Sequence, residues 1–272
     1  REVPSAHLLT FSTACHMSDF ILETRQLSKE FLGFTAVNKV DLQVNRGHIH
    51  ALIGPNGAGK TTCFNLLTKF LKPSSGDIFF NGQNITGEKP AQIARKGIIR
   101  SFQISAVFPE LTVLENVRIG LQRTRSNTWQ FWRSDESLSS LNNRCRELLA
   151  EVDLLEFENH TTSNLPYGRK RALEIATTLG MEPELMLLDE PTQGMGHEDV
   201  DRITQLIKKV SEGRTILMVE HNMNVIASIA DRITVLARGA VLAEGNYKEV
   251  SSNPAVVEAY MGTSAEALQG AH

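Results

Sequence analysis

The stretch Gly54-Pro55-Asn56-Gly57-Ala58-Gly59-Lys60-Thr61 narrows what this chain can be more than any other part of it. It satisfies G-x-x-x-x-G-K-[ST]. An apolar run, Ile49 to Ile53, precedes it, and a helical pattern whose apolar residues include Phe64, Leu66, Leu67 and Phe70 follows. Strand, glycine loop, helix is the order in which backbone N–H groups turn inward around phosphate oxygens at the positive end of a helix. In such a loop Lys60 reaches the outer phosphates and Thr61 offers its hydroxyl to Mg²⁺, with Thr62 next along the helix.

The flanking patterns set the fold. Val37, Val40, Leu42 and Val44 alternate with polar positions, which predicts an antiparallel region from Ile21 to about Val44. Turn residues surround Ile78-Phe79-Phe80, and Ile98-Ile99 marks a further short strand before Phe102-Gln103. From about 104 to 180 the period turns helical, with Leu138, Leu141, Cys145, Leu148, Leu149, Val152 and Leu155 stepping by three or four along one face. Strand and helix then alternate again. Strands are expected at Leu185 to Asp189, Thr215 to Glu220 and Ile233 to Ala237, an amphipathic helix at 198–211, and a closing hairpin at Arg238-Gly239. This βαβ order implies an α/β protein with a mostly parallel sheet.

The chain of 272 residues is 41% hydrophobic and 22% charged, ordinary for a folded globular protein. Its net charge of −3 supplies no broad basic field, so no nucleic-acid partner is expected. No run approaches the 18 or so apolar residues of a spanning helix. Three scattered cysteines, Cys15, Cys63 and Cys145, make neither a disulfide framework nor a zinc motif and fit a reducing compartment. Met17 reads as the natural start, so 1–16 are expected to be a poorly ordered leader- or vector-derived extension, and 263–272 a disordered tail. Both tryptophans, Trp129 and Trp132, fall with Phe131 in the polar stretch Thr124 to Ser137, which either tucks onto the local core or meets a partner protein.

A second chemical feature is Leu185-Met186-Leu187-Leu188-Asp189-Glu190, an apolar strand ending in two acids. A strand covered on both faces is continuously hydrophobic, and the crevice beyond its carboxyl end is where open α/β sheets bind ligands. Asp189 there can hold Mg²⁺, and Glu190 can polarise an attacking water.

Taken in order, these motifs resemble the nucleotide-binding subunit of an ATP-binding cassette (ABC) transporter over nearly all of residues 19–262. The resemblance implies a P-loop NTPase core of RecA type with an N-terminal antiparallel β subdomain. It makes 17–262 one ATPase domain, with 104–180 an inserted helical subdomain. It also assigns further residues. Gln103 corresponds to the glutamine that senses Mg²⁺, water and the membrane subunit, His221 to the switch histidine at the γ-phosphate, and Phe31 to the aromatic on which adenine stacks. Leu165-Pro166-Tyr167-Gly168-Arg169 occupies the place of the signature that binds ATP held by the opposite subunit, with Gly168 retained.

There the pattern is broken. Pro166 replaces the usual serine and Arg169 the usual glutamine, while Gly196 stands where Asp or Asn is common. All three fall on the surface offered to a partner's ATP. The expectation is a chain whose own site is competent but which completes a weakened second site, unless Arg169 restores a phosphate contact.

Ala36-Val37-Asn38, Arg95 to Arg100, Leu173-Glu174-Ile175-Ala176 and Asn253 to Gly262 resemble importer subunits for branched-chain amino acids and the related urea or amide systems. The implied partners are integral membrane permease subunits, a second ATP-binding subunit (identical or not) and, indirectly, a solute-binding protein. The implied place is peripheral, on the cytoplasmic face of the inner membrane. A soluble P-loop kinase would not need Gln103, Gly168 and His221 in this order. A non-transport ABC switch often carries two cassettes or long coiled insertions, which this chain lacks.

Overall fold

The computed structural model describes residues 19–101, 107–124 and 135–260. Gln103, Met17, Cys15, the segment with Trp129, Phe131 and Trp132, and both expected terminal extensions lie outside the described residues.

The chain opens with β1 (Phe20–Phe31), β2 (Phe34–Val40) and β3 (Gln43–Asn45), and β1 pairs antiparallel with both of the others. After β4 (Ile49–Ile53) and α1 (Lys60–Leu67), β5 (Ser75–Phe80) and β6 (Gln83–Asn84) complete this antiparallel sheet in the order β2-β1-β5-β6. Val37, Val40, Leu42 and Val44 are all fully buried, so the alternating pattern selects the core face.

β4 belongs to a second sheet. The short α2 (Pro90–Arg95) leads into β7 (Ile98–Ser101), and the chain then leaves the sheet for α3 (Val113–Thr124), α4 (Asp135–Glu151) and α5 (Tyr167–Leu179). It returns as β8 (Leu185–Asp189), α6 (His197–Val210), β9 (Thr215–Val219), α7 (Met223–Ile229), β10 (Arg232–Ala237), β11 (Ala240–Gly245) and α8 (Tyr247–Ser251). The strand order is β11-β10-β4-β9-β8-β7, parallel except for the β10–β11 hairpin.

The two faces of this sheet sort into two cores. Ile49, Ala51 and Ile53 of β4, Met186 and Leu188 of β8, and Ile216 and Met218 of β9 join α3 to α7. Leu52, Leu185, Leu187, Leu217 and Val219 face the other way, onto α1 and the antiparallel sheet. That double coverage is why β8 reads as an unbroken apolar run. At roughly 25 cal/mol per Å² of apolar surface, the paired cores are the main source of stability.

Two expectations need correction. Phe70 is not part of the helix after the glycine loop: α1 stops at Leu67, Lys69 adopts φ 62°, and Phe70 is 54% exposed. Leu155 likewise leaves the apolar face of α4. The helix ends in a Schellman arrangement, with Asp153 left-handed at φ 56°, its N–H on the Ala150 oxygen at 3.3 Å and the Leu154 N–H on the Leu149 oxygen at 2.8 Å. The turn buries Leu154 and leaves Leu155 exposed. Cys63 and Cys145 are buried free thiols, and burial pushes Cys63 up to about 12, so it is chemically quiet.

Candidate functional site

The glycine loop is shaped by what it touches. At Gly54 (φ 150°) an added Cβ would lie 2.1 Å from the Leu236 carbonyl oxygen of β10, and at Gly59 (φ 98°) 2.4 Å from that of Ala36 in β2. Only glycine satisfies both the dihedrals and the space. The loop is thereby pressed between the two sheets, and the Gly239 N–H of the β10–β11 turn donates to the Ala58 oxygen at 3.1 Å. The ammonium of Lys60, at the first position of α1, donates to the Gly54 oxygen at 2.7 Å and to the Pro55 oxygen at 3.0 Å, closing the loop on itself. Burial lowers its pKa, and the negative charge of Glu190 partly offsets this. Pro55, Asn56, Gly57 and Ala58 form the arch, while Thr61 is exposed and Thr62 half-buried on the first turn of the helix.

The ends of β8 and β9 face this loop's lysine. Asp189 is buried, and its carboxylate accepts a hydrogen bond from the Arg100 guanidinium of β7, whose other arm reaches Asn65 Oδ1 of α1 at 2.7 Å. Glu190 is left-handed, φ 47°, an unusual conformation for a residue with a side chain. Its N–H donates to the Val219 oxygen at 2.9 Å, and its own carbonyl accepts from Gln193 at 3.1 Å. The next strand end brings His221 alongside, its Nδ1 3.9 Å from Glu190 Oε1 and equally far from Glu220 Oε1. Lys60, Asp189, Glu190 and His221, far apart in the sequence, thus gather at one edge of the sheet.

The segment Leu165 to Arg169 packs on the loop after β8 and on α6. Pro166 is the N-cap of α5 and makes no side-chain cap. The Tyr167 hydroxyl donates to the Gln193 oxygen at 3.2 Å. Gly168 packs so closely on α6 that a Cβ would fall 2.5 Å from Asp199 Oδ1. The Arg169 guanidinium stacks 3.9 Å from the centre of the Phe157 ring. Gly196 caps α6 with no side-chain hydrogen bond. Phe31 lies at the β1–β2 hairpin, 40% exposed, with the Lys29 ammonium 5.0 Å over its ring.

Four contributors escaped the sequence reading. Arg100 reaches Asp189 while its other arm is held by Asn65, Arg171 braces the β8 end through the Asp189 and Pro191 carbonyls, and Glu220 binds the loops after β8 and β9. Their only sequence signal was charge or polarity within or beside apolar strands and helices.

The parallel sheet, the glycine loop at the carboxyl end of β4 and the acids at the neighbouring strand end define a P-loop NTPase fold of the cassette type. The ABC transporter family model matches residues 37–193, and the chain belongs to that family. A second model, for the branched-chain amino acid ATP-binding cassette transporter, matches residues 240–266. The chain is 38% identical to the high-affinity branched-chain amino acid transport ATP-binding protein BraF of Pseudomonas aeruginosa, covering 90% of this chain and 99% of that protein. It is 39% identical to LivG of Escherichia coli, of the same description, over the same shares. Among solved structures it is similar to the ADP conformation of an ABC transporter's ATP-binding cassette, with TM-score 0.79 and 31% identity, covering 89% of this chain and 99% of that one. It is also similar to a nucleotide-free cassette, with TM-score 0.78 and 30% identity, covering 89% and 98%.

Proposed function

We propose that this chain is the ATP-hydrolysing subunit of an importer for branched-chain amino acids. The observation that carries the reading is the gathering at one sheet edge of Lys60, Asp189, Glu190 and His221, with Glu190 within 3.9 Å of His221 and its charge acting on Lys60. The substrate class rests on the names of the relatives and on the match at residues 240–266.

In this reading the N–H groups from Gly54 to Thr62 and the Lys60 ammonium bind the phosphates, and Phe31 stacks on the adenine. Thr61, Asp189 and Gln103 would hold Mg²⁺. The donors are of the kind a hard cation takes, a hydroxyl, a carboxylate and an amide oxygen, and the Asp189 carboxylate is held buried at the strand end. Mg²⁺, when bound, neutralises phosphate charge. Glu190 orients and polarises the attacking water, and His221 steadies the γ-phosphate. Gly168 addresses the ATP held by a second ATP-binding subunit. Pro166, Arg169 and Gly196 weaken that second site, and the stacking of Arg169 on Phe157 supports this over a restored phosphate contact.

Coupling to transport needs a membrane partner. An apolar groove of about 290 Å³, lined among others by Phe70, Ile93, Ile99, Arg100 and Met181, lies beside β7 and suits a short cytoplasmic helix of a permease. Among the described residues no helix is long and apolar enough to cross a membrane. The relatives' description as transport ATP-binding proteins supports a peripheral place on the cytoplasmic face, with the solute chosen by a separate binding protein.

The test is Lys60→Ala in the complex reconstituted with permease and binding protein. Loss of a preorganised cation at the phosphates should lower ATP turnover by at least about 10²-fold and stop leucine, isoleucine and valine uptake. Retained turnover contradicts the site. Uptake of urea by the unaltered complex, with none of these amino acids, contradicts the substrate.

A further inference from the structure

Glu220 has no part in the chemistry above, yet it is the most completely enclosed acid near the site, at 0% exposure. It follows β9 and directly precedes His221. Its Oε1 accepts the His221 N–H at 2.9 Å and the Asn222 N–H at 3.1 Å, and its Oε2 accepts the Thr192 hydroxyl at 2.8 Å. Both oxygens act as acceptors of directed donors, with no lysine or arginine partner among the described residues.

The identity of the donors is the informative part. β9 is already held along its length by β4 and β8, so the sheet does not need this carboxylate. All three donors belong to loops: His221 and Asn222 to the loop entering α7, Thr192 to the loop that follows Glu190. On its other flank that second loop is fastened to α5. The Arg171 Nε donates to the Pro191 oxygen at 3.2 Å, its Nη2 to the Asp189 oxygen at 3.0 Å, and the Tyr167 hydroxyl to the Gln193 oxygen at 3.2 Å. Glu220 therefore closes a chain of bonds from the histidine loop, through residues 190–193, to the helix that begins at the signature.

We propose that Glu220 is a positioning residue that acts through Thr192, holding His221 and the Glu190–Gly196 loop in one fixed relation. The contact made by His221 with the γ-phosphate is thereby felt at the partner-facing loop and the start of α5. The proposal rests on the ATPase reading given above. It assigns Glu220 no contact with nucleotide, so substrate binding is not its task.

Thr192→Val tests this with little change of shape, removing the one hydroxyl that joins the two loops. In the complete chain with its partner subunits, kcat should fall about tenfold, the effect of one buried hydrogen bond to a charged group, while KM for ATP stays within about twofold. Thr192→Ser keeps the hydroxyl and should keep the rate. Because Thr192 and Glu220 act through one bond, Glu220→Gln combined with Thr192→Val should lose no more than the worse single variant. A Thr192→Val protein at the unaltered rate, KM rising in step with the loss of kcat, a slow Thr192→Ser, or multiplying losses in the double variant would each overturn the proposal while leaving the ATPase reading intact. An unaltered complex without ATP turnover overturns both.

Discussion

Two surfaces of this chain would meet nucleotide, and they are built differently. The one facing its own nucleotide comes from the ends of β4, β8 and β9 and the first turn of α1. Its shape is set by backbone: Gly54 and Gly59 cannot accept a Cβ, and Glu190 is locked left-handed by hydrogen bonds to Val219 and Gln193. The one facing a partner's nucleotide, Leu165 to Arg169 with Pro191 to Gly196, lies on helix starts and a loop. A handful of side-chain bonds from Tyr167, Arg171 and Thr192 hold it. The family's usual residues persist where the sheet dictates position. They are replaced, at Pro166, Arg169 and Gly196, where it does not.

If that contrast is right, the partner-facing surface should depend on single side chains. Arg171 is the largest case. Its guanidinium pairs with Glu174 at 2.5 Å, both nearly fully buried, and burial raises the Glu174 carboxyl despite the arginine beside it. Arg171→Met strands that carboxylate and should cost about 3–5 kcal/mol in denaturant unfolding. A loss under about 1 kcal/mol would show that the packing of α5 holds the loop without it.

The sheet-built surface should show a different weakness, to acid. His50 lies in β4 behind the glycine loop, its Nε2 2.8 Å from Thr234 Oγ1. Burial, then the nearby charges of Arg232 and His48, lower its pKa to about 3. The unfolded imidazole titrates near 6.5, so between these values the unfolded chain binds the extra proton. Stability therefore falls as pH drops from about 6.5 to about 3 and, from this group, falls no further below, a loss on the order of a few kcal/mol. Unfolding midpoints at pH 7 and pH 4 should converge in His50→Gln relative to the unaltered chain. An unchanged gap would remove His50 from the account.

Much of this was legible in the amino-acid order. The glycine loop announced itself by spacing, β8 and β9 by length and continuous apolarity, and α6 by a face that its buried Ile203, Leu206, Ile207 and Val210 reproduce. What stayed hidden depends on register between distant segments. Arg100 can reach Asp189 because β7 pairs parallel with β8, Arg100 opposite Leu187, and no local pattern reports that. Glu220 looked like the end of a strand, and only the tertiary fold brings Thr192 to its second oxygen. Leu155 was misjudged because a left-handed Asp153 resets the helical phase. The helices α2, α7 and α8 are too short for periodicity to register.

This chain, on the reading above, brings one sound nucleotide surface and one weakened one, so full turnover requires a non-identical partner. ATP turnover of the chain alone, measured against the chain mixed with the second ATP-binding subunit of its complex, decides it. Low turnover alone, rising at least about tenfold on mixing, is the expected result. Full turnover by the chain alone, unaffected by mixing, would contradict it.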